Sequence, residues 1–225
     1  MAIFITKPVT CPKCAQNSDT AVMISANTAE DADVRQKIFD ETIFRWKCKK
    51  CGFSTRYQHP FLYNDIDRKF MIYLIPHVAR PKVVDQKLED EFTDMRDVRK
   101  RIVPDINSLK EKIAVFERGI DDMALELTKL AVSDVVTKET GHNVYAGYYT
   151  DMDEEKNSIS FQFFVGGDKR SYIQTTRLEV YKRSRDIVKR YFPKENRKMG
   201  FLNIGMSWAR SALEKYKSSG SGIDK

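Results

Sequence analysis

The sequence predicts an α+β protein: an N-terminal four-cysteine zinc ribbon with an inserted helix, a helical hairpin, then a β-hairpin/sheet with basic helices. Three observations predict it. All four cysteines fall in two pairs, "CPKC" at Cys11/Cys14 and "CKKC" at Cys48/Cys51, separated by 33 residues. Residues 105–136 carry apolar positions at helical spacing. Residues 144–165 alternate with a period of two around an acidic turn.

In chain order, "TAVMISAN" after the first pair is rich in β-branched and apolar residues and reads as a strand. "EDADVRQKIFD" places Val34 and Ile38 four apart behind leading acids, the pattern of a short helix. "IFRWKC" sets Phe44, Trp46 and Cys48 against Ile43, Arg45 and Lys47, a strand entering the second pair. "FSTRYQH" and "RKFMIYLIP" read as further strands, punctuated by Pro60 and Pro76. Asp105 opens a helix with Ile106, Leu109, Ile113 and Phe116 on one face and Gly119 as its stop. A second helix follows, capped by Asp121 or Asp122, with Leu127, Leu130 and Val135 on its stripe. The short link makes a helical hairpin.

"NVYAGYY" and "SISFQFFVGG" flank the turn "TDMDEEKN", with Ile159, Phe161, Phe163 and Val165 on one face. "SYIQTT" reads as a third strand. "RLEVYKRSRDIVKRYF" is a helix whose apolar side is Leu178, Tyr181, Val188 and Tyr191 and whose other faces are cationic. "GMSWARSALEKY" closes the chain with Trp208 and Leu213, followed by a flexible tail. The expected boundaries are a zinc-ribbon module at 1–84, an acidic helical-hairpin region at 85–140, a basic α+β module at 141–217 and the tail at 218–225.

Two CxxC turns deliver four soft thiolates to one ion at about 2.3 Å each, which matches the tetrahedral preference of Zn2+. The 33-residue gap exceeds the usual ~15–20, and the strand-helix insert absorbs the excess. One structural zinc ion held by Cys11, Cys14, Cys48 and Cys51 is therefore expected, closed to substrate. Lys13, Lys47, Lys49 and Lys50 beside the thiols should acidify them. "CPKC" also has the form seen in thiol oxidoreductases, but there the motif starts a helix in a βαβ unit, and here it precedes a strand. His59, eight residues past Cys51, reads as a surface histidine, with support of a metal ligand as the alternative. His77 and His142 have no partner pattern.

Charge is divided along the chain. Residues 1–84 carry 13 Lys/Arg against 8 Asp/Glu, residues 85–167 carry 11 against 18, and residues 168–225 carry 15 against 6. Such asymmetry speaks about partners, not fold. The start "MAIFITKPVTCP" has no long apolar run before Lys7 and Pro8, which argues against a signal peptide, and no stretch reaches the ~18 apolar residues of a membrane span. A cytoplasmic location with reduced thiols is the expectation.

Several segments together resemble the bacterial CpXC family: "CPKC" itself, "DADVRQKIFDETIFRWKCKKCG", "HPFLYNDIDRKFMIYLIP" and "SLKEKIAVFERGIDDMALELTKL". The resemblance covers residues 3–135 or so. The second pair departs mildly, with Lys49 where the family commonly has proline after the cysteine. The resemblance implies a zinc-ribbon module with an appended helical hairpin and brings no activity with it.

Residues 168–198 hold 11 cations, interleaved with Tyr172, Tyr181, Tyr191 and Phe192. Clustered cations neutralise phosphates, and aromatic rings stack on unpaired bases. The expected contacts to RNA, DNA, or a ribonucleoprotein or transcription complex are Lys182, Arg183, Arg185, Lys189, Arg190, Lys194, Arg197 and Lys198, joined by Arg45, Lys49 and Lys50 near Trp46, Phe53 and Tyr57. A second reading is an adaptor that binds another protein or itself through its opposed charges, without nucleic acid. A third is a metal-dependent nuclease using Asp151, Asp153, Glu154 and Glu155, but their spacing fits no Ca2+ loop. The sequence has no GxxxxGKS/T, HExxH or GxSxG. A non-catalytic binding factor is the expectation, with no catalytic residue assigned.

Overall fold

The computed structural model describes residues 2–76, 95, 97–166, 170–193 and 200–220, with the side chains of 219 and 220 left aside. The chain forms two compact units, Met1–Ile113 with Met199–Leu202, and Ala114–Lys198 with Asn203–Lys225. The cut therefore falls inside the region expected at 85–140, within a helix.

In the first unit, β1 (Ile3–Thr10), β2 (Asn17–Asn27), β5 (Phe61–Asp65), β6 (Phe70–Leu74) and β7 (Arg99–Val103) form one sheet in the order β1-β2-β5-β6-β7. The β2–β5 and β6–β7 pairs are parallel and the other two antiparallel. Between β2 and β5 lie helix α1 (Val34–Phe39), a 3-10 turn (Thr42–Phe44) and the hairpin of β3 (Arg45–Lys47) and β4 (Ser54–Arg56). The core gathers Val34, Ile38, Phe44, Phe61, Tyr63, Phe70, Ile72 and Leu74, all at 2% exposure or less. Both apolar positions of the expected short helix are thus fully buried. The chain returns at Leu202, whose carbonyl accepts from the Ile102 N–H at 3.0 Å beside β7.

Strands β1, β5 and β7 are additions to the expected set. In β1 only Val9 is buried, so no apolar alternation marks it. Its Pro8 is tolerated because β1 is the sheet edge, where a missing N–H breaks no ladder on the open side. β7 reads "RKRIV", yet Lys100 and Arg101 are buried, because pairing beside β6 overrides the preference of those residues for water.

Helix α2 (Ile106–Glu117) buries Ile106, Leu109, Ile113 and Phe116, the four expected positions. Asp105 caps it, accepting from the Ser108 N–H at 2.8 Å, and Gly119 at φ +67° ends it.

In the second unit, α3 (Asp122–Thr140) is capped by the Asp121 carboxylate, which accepts from the N–H groups of Met123 and Ala124. Residues Met123 to Leu130 are buried on every side, including the Glu126–Lys129 pair at 3.0 Å. This helix lies between the sheet of β8 (Val144–Asp153), β9 (Ser158–Val165) and β10 (Ser171–Arg177) and the helices α4 (Leu178–Tyr191) and α5 (Met206–Gly220). Such a position explains the one misassigned stripe residue. Val135 is exposed at 43%, and Val132 and Val136 carry the packing there.

The sheet runs β10-β9-β8, antiparallel throughout. Ile159, Phe161, Phe163 and Val165 point inward at zero exposure. Gly147 lies against Phe163: a Cβ there would meet the ring at 2.6 Å, so glycine is required by close approach. On α4, Leu178, Tyr181, Ser184 and Val188 are buried; Tyr191 is half-buried and stacks edge-on against Tyr216, ring centroids 5.1 Å apart. α5 extends through 218–220, so the expected flexible tail starts inside a helix whose Ala209 and Ala212 pack inward. Residues 221–225 lie outside the described set. No helix among the described residues is long and apolar enough to cross a membrane.

Candidate metal centre

Each CxxC closes a β-hairpin. The first spans the loop between Thr10 of β1 and Asn17 of β2, which pair with each other, and the second spans the loop between the paired Lys47 of β3 and Ser54 of β4. That placement sets "CPKC" apart from a thiol-oxidoreductase motif, because no helix starts there.

The two turns repeat one hydrogen-bond pattern. The Cys11 N–H donates to the Gln16 carbonyl at 2.9 Å, and the Ala15 N–H donates to the Cys11 carbonyl at 2.9 Å. Likewise the Cys48 N–H donates to the Phe53 carbonyl at 2.8 Å, and the Gly52 N–H donates to the Cys48 carbonyl at 3.0 Å. Ala15 and Gly52 both sit at positive φ, +56° and +71°. The backbone thus folds each tip so that its two thiols face the other tip.

The sulfurs of Cys11 and Cys51 lie 3.6 Å apart and those of Cys14 and Cys48 3.7 Å, with all four within 4.8 Å of one another. All four cysteines are free, and a disulfide would need about 2.05 Å. Sulfurs at about 2.3 Å from a central ion form a tetrahedron with edges near 3.8 Å, so the observed spacings suit a single tetrahedral ion. Among the described residues these cysteines form the group able to hold a metal.

Val9 and Trp46 are buried against Cys11 and Cys48, with Phe53 and Tyr57 half-buried around the cluster. The Trp46 Nε1–H donates to the Thr20 hydroxyl at 3.0 Å, which ties β3 to β2 across the site. Those rings belong to the shell of the sulfurs, so the expectation that they flank a binding surface is corrected for Trp46.

Cys48 and Cys14 are shifted in opposite directions. Cys48 is lowered to about 6, chiefly because the backbone N–H groups of Cys51 and Lys50 donate toward its sulfur and outweigh desolvation. Cys14 is raised to about 11: the Gln16 N–H works against the rise, but desolvation and the three neighbouring sulfurs outweigh it. Lys13, Lys47, Lys49 and Lys50 are all solvent-exposed. The lowering at Cys48 therefore comes mainly from backbone N–H groups and not from the lysines, whose exposed ammonium groups are screened by water.

His59 is a correction: it is 2% exposed, not on the surface. Its Nδ1 donates to the Pro60 carbonyl at 3.0 Å, and its ring packs against Phe44 and Tyr57. Nε2 is buried without a hydrogen-bond partner. Desolvation lowers its pKa. The motif gives no sign of this, because burial of His59 depends on the Phe44 turn closing over it.

The acidic hairpin tip is engaged by cations. Asp151 pairs with Arg118 at 2.7 Å, and Asp153 pairs with Lys156 at 2.9 Å. Strand β8 runs through Asp153, so the turn itself is only residues 154–157.

Of the expected contact residues, Lys182, Arg183, Arg185, Lys189 and Arg190 are exposed on α4 in the second unit. Arg45, Lys49 and Lys50 are exposed on the β3–β4 hairpin in the first. Lys194, Arg197 and Lys198 lie outside the described residues. Two of the interleaved aromatics turn inward and two are half-buried, Tyr172 and Tyr191: Tyr181 is buried with its hydroxyl accepting from the Asp121 N–H at 2.9 Å, and Phe192 packs on Trp208.

No curated protein and no solved structure matches the chain. The family model described as CpXC protein matches residues 9–129, more than half of the chain, a span that contains both cysteine turns and helix α2. This chain belongs to the CpXC family.

Proposed function

We propose that the protein is a non-catalytic zinc-ribbon binding factor whose helix α4 contacts the phosphates of RNA or DNA. The observation that carries the reading is the division of α4. Leu178, Tyr181, Ser184 and Val188 are buried, while Lys182, Arg183, Arg185, Lys189 and Arg190 are exposed along its other side. Among the described residues no carboxylate pairs with Arg183, Arg185 or Lys189. Cations held in a row on a rigid helix and left without ion-pair partners suit a phosphate backbone, where binding is driven by release of counterions.

The ion assigned to the four thiolates is Zn2+, since soft sulfur ligands in a tetrahedron favour it. Its role is structural: it joins the two hairpins beside the small core of Val9 and Trp46 that they share. With every position filled by sulfur, no site is left for water or substrate.

The test is fluorescence anisotropy with short RNA and DNA strands as salt is varied. Each phosphate contact contributes about 0.7–0.9 to the slope of log K against log salt. Reversing Arg183, Arg185, Lys189 and Arg190 to Glu together should abolish binding, with zinc content and circular dichroism unchanged. Binding that survives this change refutes the assignment.

A further inference from the structure

The sheet of the second unit has two faces, and among the described residues the packing helices lie on one of them. Ile159, Phe161, Phe163 and Val165 of β9 point to α3. The register places Phe164, Gln162, Ser160 and Ser158 on the opposite face, with Ser171, Ile173, Thr175 and Arg177 beside them on β10. On β8 the same face carries Ala146, Tyr148, Asp151 and Asp153. Ile173 is 71% exposed, and Tyr145, in the bulge at the end of β8, is 66% exposed. Tyr145 and Tyr148 flank Phe164 with ring centroids 6.3 and 6.1 Å away.

We propose that this open face is where two copies of the chain join, sheet against sheet, about a twofold axis running along β9. The argument is self-complementarity. Such an axis lays β8 of one copy over β10 of the other without shifting residues along the strands, the aligned arrangement in which sheets pack. Asp153, Ser158 and Arg177 share one rung, as do Tyr148, Gln162 and Ile173. The axis therefore places Asp153 over Arg177 of the second copy, Tyr148 over its Ile173, and Phe164 over its Phe164.

Within one copy Asp153 and Arg177 are separated by two strand spacings, about 10 Å, too far for a direct pair. A second copy brings Arg177 to Asp153, whose partner within one copy is the exposed Lys156 at 2.9 Å, and removes Ile173 from water.

Three strands and seven residues span roughly 350 Å². That is below a standard interface of ~800 Å² per partner, so the pairing is weak and transient. The proposal is independent of what α4 binds.

The experiment is sedimentation equilibrium of the full chain from about 5 to 500 μM. A concentration-dependent monomer–dimer equilibrium is expected. Ile173→Glu should leave a folded monomer. Asp153→Arg and Arg177→Asp should each weaken the dimer at least about fivefold, and the doubly reversed chain should return to near the original affinity, as expected of a direct charge pair. A chain monomeric throughout, a dimer indifferent to Ile173→Glu, or a double reversal that fails to restore pairing would each overturn the proposal. So would a monomer that binds oligouridine and loses it in Tyr145→Ala. Should Ile173→Glu not fold, the charge-reversal set decides alone.

Discussion

Ala15 and Gly52 hold equivalent positions, four residues after Cys11 and Cys48, and both adopt left-handed backbone. Only one of them is glycine. An alanine at positive φ carries strain that a glycine does not, while glycine costs more entropy on folding. Strain is the larger effect here, so Ala15→Gly should stabilise the first unit by about 0.5 kcal/mol and Gly52→Ala should destabilise it by about 1 kcal/mol. Chemical denaturation of the metal-loaded protein measures both. Effects of opposite sign at the two positions are expected, and a destabilising Ala15→Gly would contradict the equivalence of the turns.

Removal of one thiol should have a larger effect. Cys48→Ser leaves three sulfurs, and a structural site of this type contributes folding free energy of order 10–16 kcal/mol. The variant is expected to lose its metal and the β3–β4 hairpin, while the second unit keeps its helices. Metal analysis beside hydrogen exchange reads the two effects separately. A metal-replete, protected variant would refute a four-thiolate site.

Gly147 offers a test of packing in the second unit. Adding a methyl group at 2.6 Å from the fully buried Phe163 ring forces that ring or β8 to move. Gly147→Ala should therefore cost about 1–3 kcal/mol. Pairing it with Phe163→Leu should recover part of the loss; no recovery would place the strain elsewhere.

His59 makes stability depend on pH. Its folded pKa lies below the ordinary value because burial disfavours the charged ring. Since the unfolded chain binds the proton more readily, the contribution is fully present above about 6.5 and is lost as pH falls through the lower, folded value. His59→Phe should flatten this acidic limb. The difference between the two stability curves isolates His59 from the cysteines, and identical curves would show that it does not titrate there.

The expected short helix is borne out because its two apolar anchors, Val34 and Ile38, lie one turn apart and are both buried. The β8–β9 hairpin is legible for a similar reason: four inward residues alternate on one strand with no exception. The cysteine set is legible because spacing alone pairs the thiols. β7 is illegible, since "RKRIV" looks like a solvated run until β6 and Leu202 close around it. Val135 is misread because a helix buried on nearly all sides has no single stripe to find.

Local chemistry, acting within a few residues, determined what the sequence alone specifies: which thiols pair, where helices cap, and which strand face is apolar. Tertiary structure decided what depends on distant neighbours. It brought Cys11 to Cys51 and Cys14 to Cys48, buried His59 and turned Tyr181 inward. Among the described residues it also left one face of the β10-β9-β8 sheet open. Burial is set by whatever packs on a residue from elsewhere in the chain, and no local pattern encodes that.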